Sequence, residues 1–467
     1  MKVCSPISES KLYGGDFTQE GGFQAAYQEY VTGHQSWRQE LLKQMGLSTM
    51  YEKIGILFVQ WNTELFFPTP WEILQGVIPG NGPKPDINKV GCVFITLQEN
   101  PSKGRRWYQR FISNVMLGLN VLSERPNWDV TASGHVQLNN WFGTKPKAIG
   151  PWANTQTVIY ITRAGISLGN AHTCKWSRKR REKGFVGLSL ALDKIGTLLV
   201  LGVHVPTVRE DQRGFLNEMF EKVVKNCIPA QNRHLGLDYF TAGVLLTGDL
   251  NARLSETGLR MALQTVEDHP VYGRLNSVLA SGDQSQDMAK LLFMLEKSSA
   301  TEEVSYAPLL WASDVLGGAP PDRKENDLRT PMSEQGFELV NACYTGPVSY
   351  GWQKGCEVRE EQERSLYKLC LATKSRSKPS SLGFLDRLLV RPPRPRPCMA
   401  PPCPLPVADA FLNSTGELQN FRGDHFPQVF YVEIFRLKED SEITTEYNQR
   451  TLSLPGSSPR RTRITAL

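Results

Sequence analysis

The chain has 467 residues, 40% of them hydrophobic, with 53 Lys and Arg against 47 Asp and Glu and a net charge of +6. This composition excludes a fibrous or wholly disordered chain, and the charge is too small to argue nucleic-acid binding by itself. No run approaches the roughly 18 apolar residues of a membrane-spanning helix, so any membrane contact is expected to be peripheral.

Residues 1–50 read as a polar lead-in with one helical stretch, GGFQAAYQEYVTGHQSWRQELLKQMG, ended by Gly46. Its first residues, MKVCSPISESKLYGGD, lack the apolar centre of a signal peptide. The nine cysteines form no CxxC pair, which predicts reduced thiols and a cytoplasmic chain, with nuclear entry as an alternative. On that reading the sequon Asn413-Ser414-Thr415 is a chance match.

From residue 51 the chain alternates short apolar runs with helical patterns, the signature of a layered α/β fold. GILFVQWN ends at Asn62 and VGCVFITLQE at Glu99. A basic run follows (Lys175, Arg178, Lys179, Arg180, Arg181, Lys183) with Trp176 inside it. Three readings of the run stay open: a solvated loop, an import signal, or an anion-binding loop with Trp176 at a lipid interface. KGFVGLSLAL is the next strand, LLVLGVH ends at His204, FLNEMFEKVVKNC reads as a helix, and VLLTGDLN carries Asp249 and Asn251.

A long interval separates Asp249 from the next strand, FLDRLLV with Asp386 at its start, and within it an insertion is expected over about 258–330. The Pro-rich stretch 391–407, RPPRPRPCMAPPCPLPV, suits a polyproline II loop and neither strand nor helix. GDHFPQVFYVEIF sets Asp424 and His425 just before an apolar run. Residues 438–467 form a basic, polar tail expected to be disordered, whose last residues, Thr465, Ala466 and Leu467, fit the terminus that PDZ-type sheets capture.

A buried strand that ends in a polar side chain delivers that group to the rim of a sheet, where rigid elements support loops and sites. One such group is an ordinary cap, but a carboxylate, amide or imidazole at the end of strand after strand fits metal-assisted phosphoester cleavage. That chemistry needs a divalent cation, a water-activating group and donors around the phosphoryl oxygens. Magnesium takes one or two carboxylates and keeps several waters, which Glu99 with Asn62 would satisfy; manganese is the alternative. Asp249 is placed to orient or deprotonate water, and Asn251 offers an uncharged donor.

These segments resemble the endonuclease/exonuclease/phosphatase (deoxyribonuclease I-like) superfamily over roughly residues 50–437. The resemblance implies a four-layer α/β/β/α sandwich of two packed mixed sheets. It implies that Glu99 in QEN binds metal with Asn62 beside it, and that His204 contacts phosphate. It implies that Asp249 and Asn251 form the GDxN motif, and that Asp424 and His425 form the terminal SDH motif, here with Gly423 in place of Ser. In that motif Asp386 pairs with the His425 ring and Asp424 lies near metal and water.

Within the superfamily, GDLNARL resembles the GDLNYRL of inositol polyphosphate 5-phosphatases, with Ala252 at the aromatic position. KPSSLGFLDRLLV resembles their R-x-P-S-W-x-D-R-I-L, and KGFVGLSLAL their K-G-G-V-x-V segment, with Phe185 for the second Gly. The implied substrate cations are Lys183, Arg253, Arg387, Arg180 and Arg181. A Mg-dependent phosphatase acting on the 5-phosphate of inositol phosphates or phosphoinositides is the resulting expectation. A nuclease or sphingomyelinase of the same superfamily, and an inactive scaffold binding phosphoinositides or proteins through the basic run, the Pro-rich loop and the tail, are the alternatives.

Overall fold

Alternation in the apolar runs sends successive side chains to opposite faces of a strand. In the computed structural model this gives strands with two buried faces. The structure describes residues 51–75, 86–139, 154–178, 183–192, 196–207, 210–228, 241–255, 257–258, 261, 307–339, 349–350, 383–391, 403–404, 425 and 427–437. The lead-in, residues 262–306 of the expected insertion, most of the Pro-rich stretch and the tail lie outside them, as do Arg180, Arg181 and Asp424.

One mixed sheet holds β1 (Tyr51–Asn62), β2 (Val90–Pro101), β3 (Trp128–Asn139), β4 (Asn154–Arg163), β11 (Cys403–Pro404) and β12 (Gln428–Leu437), in the order β11-β12-β1-β2-β4-β3. The other holds β5 (Ser167–Ser177), β6 (Gly184–Leu192), β7 (Gly196–His204), β8 (Thr241–Asp249), β9 (Glu338–Leu339) and β10 (Asp386–Arg391), in the order β5-β6-β7-β8-β10-β9. The parallel pairs are β1 with β2 and β7 with β8.

Between the sheets lies a core of Ile56, Phe58, Phe94, Val158, Leu188, Val200, Leu245, Leu388 and Phe430. The outer face of the second sheet packs Leu199, Leu201, Val203 and Leu246 against Phe215, Met219 and Phe220 of the helix Gln212–Lys222. On the outer side of the first sheet, the helix Arg105–Leu122 buries Tyr108, Phe111, Ile112, Val115 and Leu119, spaced at three, one, three and four residues, against β3 and β4. The layers are therefore helix, sheet, sheet, helix, the expected sandwich.

Three expectations need correction. Cys174 and Cys227 are joined in a disulfide that ties β5 to the end of a π-helical turn, Val223–Cys227, so these are not reduced thiols. Cys403 and Pro404 form a short strand pairing with Tyr431 and Phe430, inside the stretch read as neither strand nor helix. Trp176 lies on β5, half-buried, and packs against the outer core on Phe185 and Phe215 at 6.0 and 5.3 Å, so it belongs to a strand and not to a loop of the basic run. Within the expected insertion, Leu310, Trp311, Leu316 and Leu328 are buried. Leu316 and Leu328 lie in the outer core of the second sheet.

Candidate active site

Followed towards one end, the strand residues on the cleft face turn from apolar to polar. On β1 the series runs Ile54, Ile56, Phe58, then Gln60 and Asn62; on β2 it runs Cys92, Phe94, then Thr96 and Gln98. β7 ends this way in His204 and β8 in Asp249, while β10 begins with Asp386. Register aligns them: Asp249 stands opposite both His204 and Asp386, and Asn62 opposite Gln98. Gly202 keeps the row close, because a Cβ there would lie 2.9 Å from Val158 across the cleft.

Asp249 is the hub. Its Oδ2 accepts from Asn62 Nδ2 at 3.0 Å and lies 3.4 Å from His204 Nε2 and 3.9 Å from His425 Nε2. Its Oδ1 accepts from the Asn251 backbone N–H at 2.8 Å. Burial alone would push this carboxyl up, but the hydrogen bond from His204 and the charges of His425, His204 and Lys183 outweigh it. The group is held well below the usual carboxylate range.

His425 is paired through Nδ1 with Asp386 Oδ2 at 2.8 Å, which leaves Nε2 facing Asp249. Asp386 is itself fixed. Gln60 Nε2 donates to its Oδ1 at 2.8 Å, and its backbone N–H donates to Ser349 Oγ at 3.0 Å. Gln60 also donates to Gln98 Oε1 at 2.5 Å and accepts from Thr96 Oγ1 at 2.7 Å and Gln98 Nε2 at 3.2 Å. All are buried, so this network bolts the first sheet to the acid that orients His425.

Glu99 is the more open acid, with its side chain 24% exposed, and its Oε1 lies 3.3 Å from His204 Nε2 and 3.9 Å from Lys183 Nζ. Lys183 Nζ also touches His204 Nε2. Glu99 and Asn251 both hold positive φ, 52° and 51°, as do Glu64 and Leu65 just beyond Asn62. Asn tolerates that region but Glu does not favour it, so backbone strain gathers at this end of the cleft.

Of the expected site residues, the structure brings together Asn62, Glu99, Lys183, His204, Asp249, Asn251, Arg253, Asp386 and His425. The Asn251 amide is engaged locally, donating to Val205 O at 2.7 Å and accepting from Arg253 at 2.9 Å. Arg253 lies over Tyr350, 4.1 Å from the ring centre, and Tyr350 packs on His425 at 4.6 Å. Arg387 is a correction. It is 1% exposed, pairs with buried Asp314 and donates to Phe384 O at 2.5 Å, so it holds the fold and does not face a substrate. Asp424, Arg180 and Arg181 lie outside the described residues.

Sequence reasoning missed Gln60, Thr96, Gln98, Ser349, Tyr350 and Asp314. For the first three there was a signal: polar residues at alternate positions inside ILFVQWN and FITLQE, on the same face as the site acids.

Among the described residues no group of three or more His, Cys, Asp and Glu side chains could hold a metal ion. The donor chemistry nonetheless suits a hard cation: the partly exposed Glu99 carboxylate, the Asn62 amide oxygen and an ionised Asp249, with solvent able to supply further oxygens.

No protein-family model matches the chain, and no curated protein sequence does. Among solved structures it is similar to the inositol polyphosphate 5-phosphatase domain of SPsynaptojanin in complex with inositol (1,4)-bisphosphate and a calcium ion. The identity is 14% and the TM-score 0.43, over 90% of this chain and 97% of that one. It is similar to Cimex nitrophorin, as the ferrous NO complex, at 11% identity and TM-score 0.39, over 82% and 98%. A Bacteroides thetaiotaomicron endonuclease/exonuclease/phosphatase family protein gives 8% identity and TM-score 0.35, over 82% and 96%. The solved structures to which the chain is similar thus include a protein of the endonuclease/exonuclease/phosphatase family, whose superfamily its motifs resemble.

Proposed function

We propose that the chain is a divalent-metal-dependent phosphoric ester hydrolase of the endonuclease/exonuclease/phosphatase type, acting on the 5-phosphate of inositol phosphates or phosphoinositides. The observation that carries the hydrolase reading is the ionised Asp249 set between two imidazoles at the polar end of the cleft. A carboxylate so held can accept a hydrogen bond from a water molecule and orient it for attack. His425, paired through Nδ1 with Asp386, turns Nε2 to the same space, where the imidazolium form, protonated on both nitrogens, can donate to a phosphoryl oxygen or leaving group. Asn251 fixes Asp249 through its backbone N–H and Arg253 through its side chain.

Glu99 and Asn62 would hold magnesium or manganese, which when bound would neutralise charge developing on the phosphoryl oxygens. With Arg387 removed from the substrate side, Lys183 and Arg253 are the described cations that flank the site. They suit a ring bearing several phosphates. The motifs GDLNAR and FLDRLL support the inositide branch over the nuclease and sphingomyelinase branches. Peripheral contact at a phosphoinositide-bearing membrane belongs to the same proposal, while the Cys174–Cys227 disulfide removes the reduced-thiol argument for a cytoplasmic setting.

The test is metal-dependent phosphate release from a soluble short-chain phosphatidylinositol 4,5-bisphosphate, run beside plasmid nicking and sphingomyelin cleavage, with His425→Ala as the blank. Release from the inositide alone is expected. Cleavage of plasmid or sphingomyelin alone would move the chain to another branch, and silence on all three would remove the hydrolase reading.

A further inference from the structure

The crowding around His204 Nε2 points to a second role for Lys183. Two carboxylate oxygens, Glu99 Oε1 and Asp249 Oδ2, lie 3.3 and 3.4 Å from that nitrogen, and Lys183 Nζ touches it while standing 3.9 Å from Glu99. The lysine side chain is 15% exposed, and its ammonium is set against the acids. It arrives there by construction. Lys183 directly precedes β6, whose Gly184 pairs with His204, and its carbonyl accepts from Arg178 N across the hairpin at 3.4 Å.

We propose that Lys183 is a tethered counter-cation that competes with the divalent ion for Glu99. This rests on the reading of Glu99 as the metal-binding acid. One carboxylate a few ångströms from an ammonium gains little from a second cation unless the first withdraws, because like charges at that range repel strongly when partly desolvated. With no ion bound, the ammonium neutralises the acids and keeps the site from carrying bare negative charge. When an ion binds, the ammonium is released from Glu99 and becomes available to an anionic substrate. A cation that only braced the fold would show neither exchange.

The experiment uses the full chain without substrate and Mn2+ as the probe, titrated by calorimetry or by the loss of the free-ion paramagnetic signal at fixed ionic strength. Lys183→Met is expected to bind Mn2+ about tenfold more tightly than the native chain. Arg178→Gln removes a nearby charge that pairs with Glu218 at 3.3 Å, and is expected to bind as the native chain does. Should Lys183→Met fail to fold, the native chain answers alone: the rate at which Lys183 is methylated by formaldehyde and borohydride, read by mass spectrometry, is expected to rise severalfold when Mn2+ is added. Equal or weaker binding by Lys183→Met, a labelling rate that Mn2+ leaves unchanged, or no Mn2+ binding by either form would overturn the inference. Competitive binding in a chain that releases no phosphate would uphold it while removing the proposed activity.

Discussion

Asp386 and Arg387 are neighbours in sequence, start the same strand and are equally buried, at 2% and 1% exposure, yet they do opposite work. Alternation sends Asp386 into the cleft, where it orients His425, and Arg387 to the outer face, where it pairs with Asp314. The first pair ends at an imidazole whose far nitrogen faces the site acid. The second is closed: both side chains are buried, and Asp314 directly follows the α-helix Ala307–Ser313. A buried ion pair can therefore serve chemistry or folding, and which one depends on whether its last member faces space a substrate can enter.

The largest expected effect is on the open pair. His425→Ala should lower phosphate release by about 10²–10⁴-fold, the usual worth of one positioned acid or base. Its thermal unfolding midpoint should fall less than that of Asp314→Ala, because Asp386 keeps the Gln60 donor at Oδ1, and an equal loss of both would erase the contrast. Breaking the closed pair should do the reverse: Asp314→Ala leaves the Arg387 charge buried without its carboxylate and should cost about 3–5 kcal/mol in urea unfolding. Unchanged stability would show that the pair is idle.

Gln60 sharpens the comparison because it ties the fold to the open pair. Gln60→Leu strips the donor from Asp386 Oδ1 and leaves Thr96 and Gln98 short of a partner, which should cost about 1–3 kcal/mol. Activity per folded molecule should fall as well, checked by kinetics at a temperature where the variant is folded; a change in stability alone would make Gln60 merely structural.

The smallest effect is on pH. Asp249 has its folded pKa depressed below its ordinary value of 3.8, so its contribution to stability is present above that value and is lost as pH falls towards the folded one. Urea midpoints measured between about pH 5 and 3 should therefore drop less steeply in Asp249→Asn than in the native chain. Parallel slopes would contradict the depression.

The strands that position the site were legible because doubly buried strands leave unmistakable apolar runs, and the acids that end them stand out against Val, Leu and Ile. Arg387 was misread because the motif around it outweighed a simpler fact: adjacent strand residues face opposite ways, so a residue next to Asp386 cannot share its space. Trp176 follows the same rule, lying on the side of β5 that packs towards Phe215. Asp314 and the Cys174–Cys227 disulfide were beyond local pattern. Their partners lie 73 and 53 residues away, and only the packed sheets bring them together.

The measurement that goes most directly to the central claim compares Asp386→Asn with Arg387→Met, scoring phosphate release per folded molecule against the unfolding midpoint for each. Asp386→Asn should keep most of its stability and lose activity by about 10²–10⁴-fold, because an amide cannot hold the imidazole in the working tautomer. Arg387→Met should unfold at a lower temperature yet keep near-native release while folded. Full activity in Asp386→Asn, or a stable but silent Arg387→Met, would contradict the account.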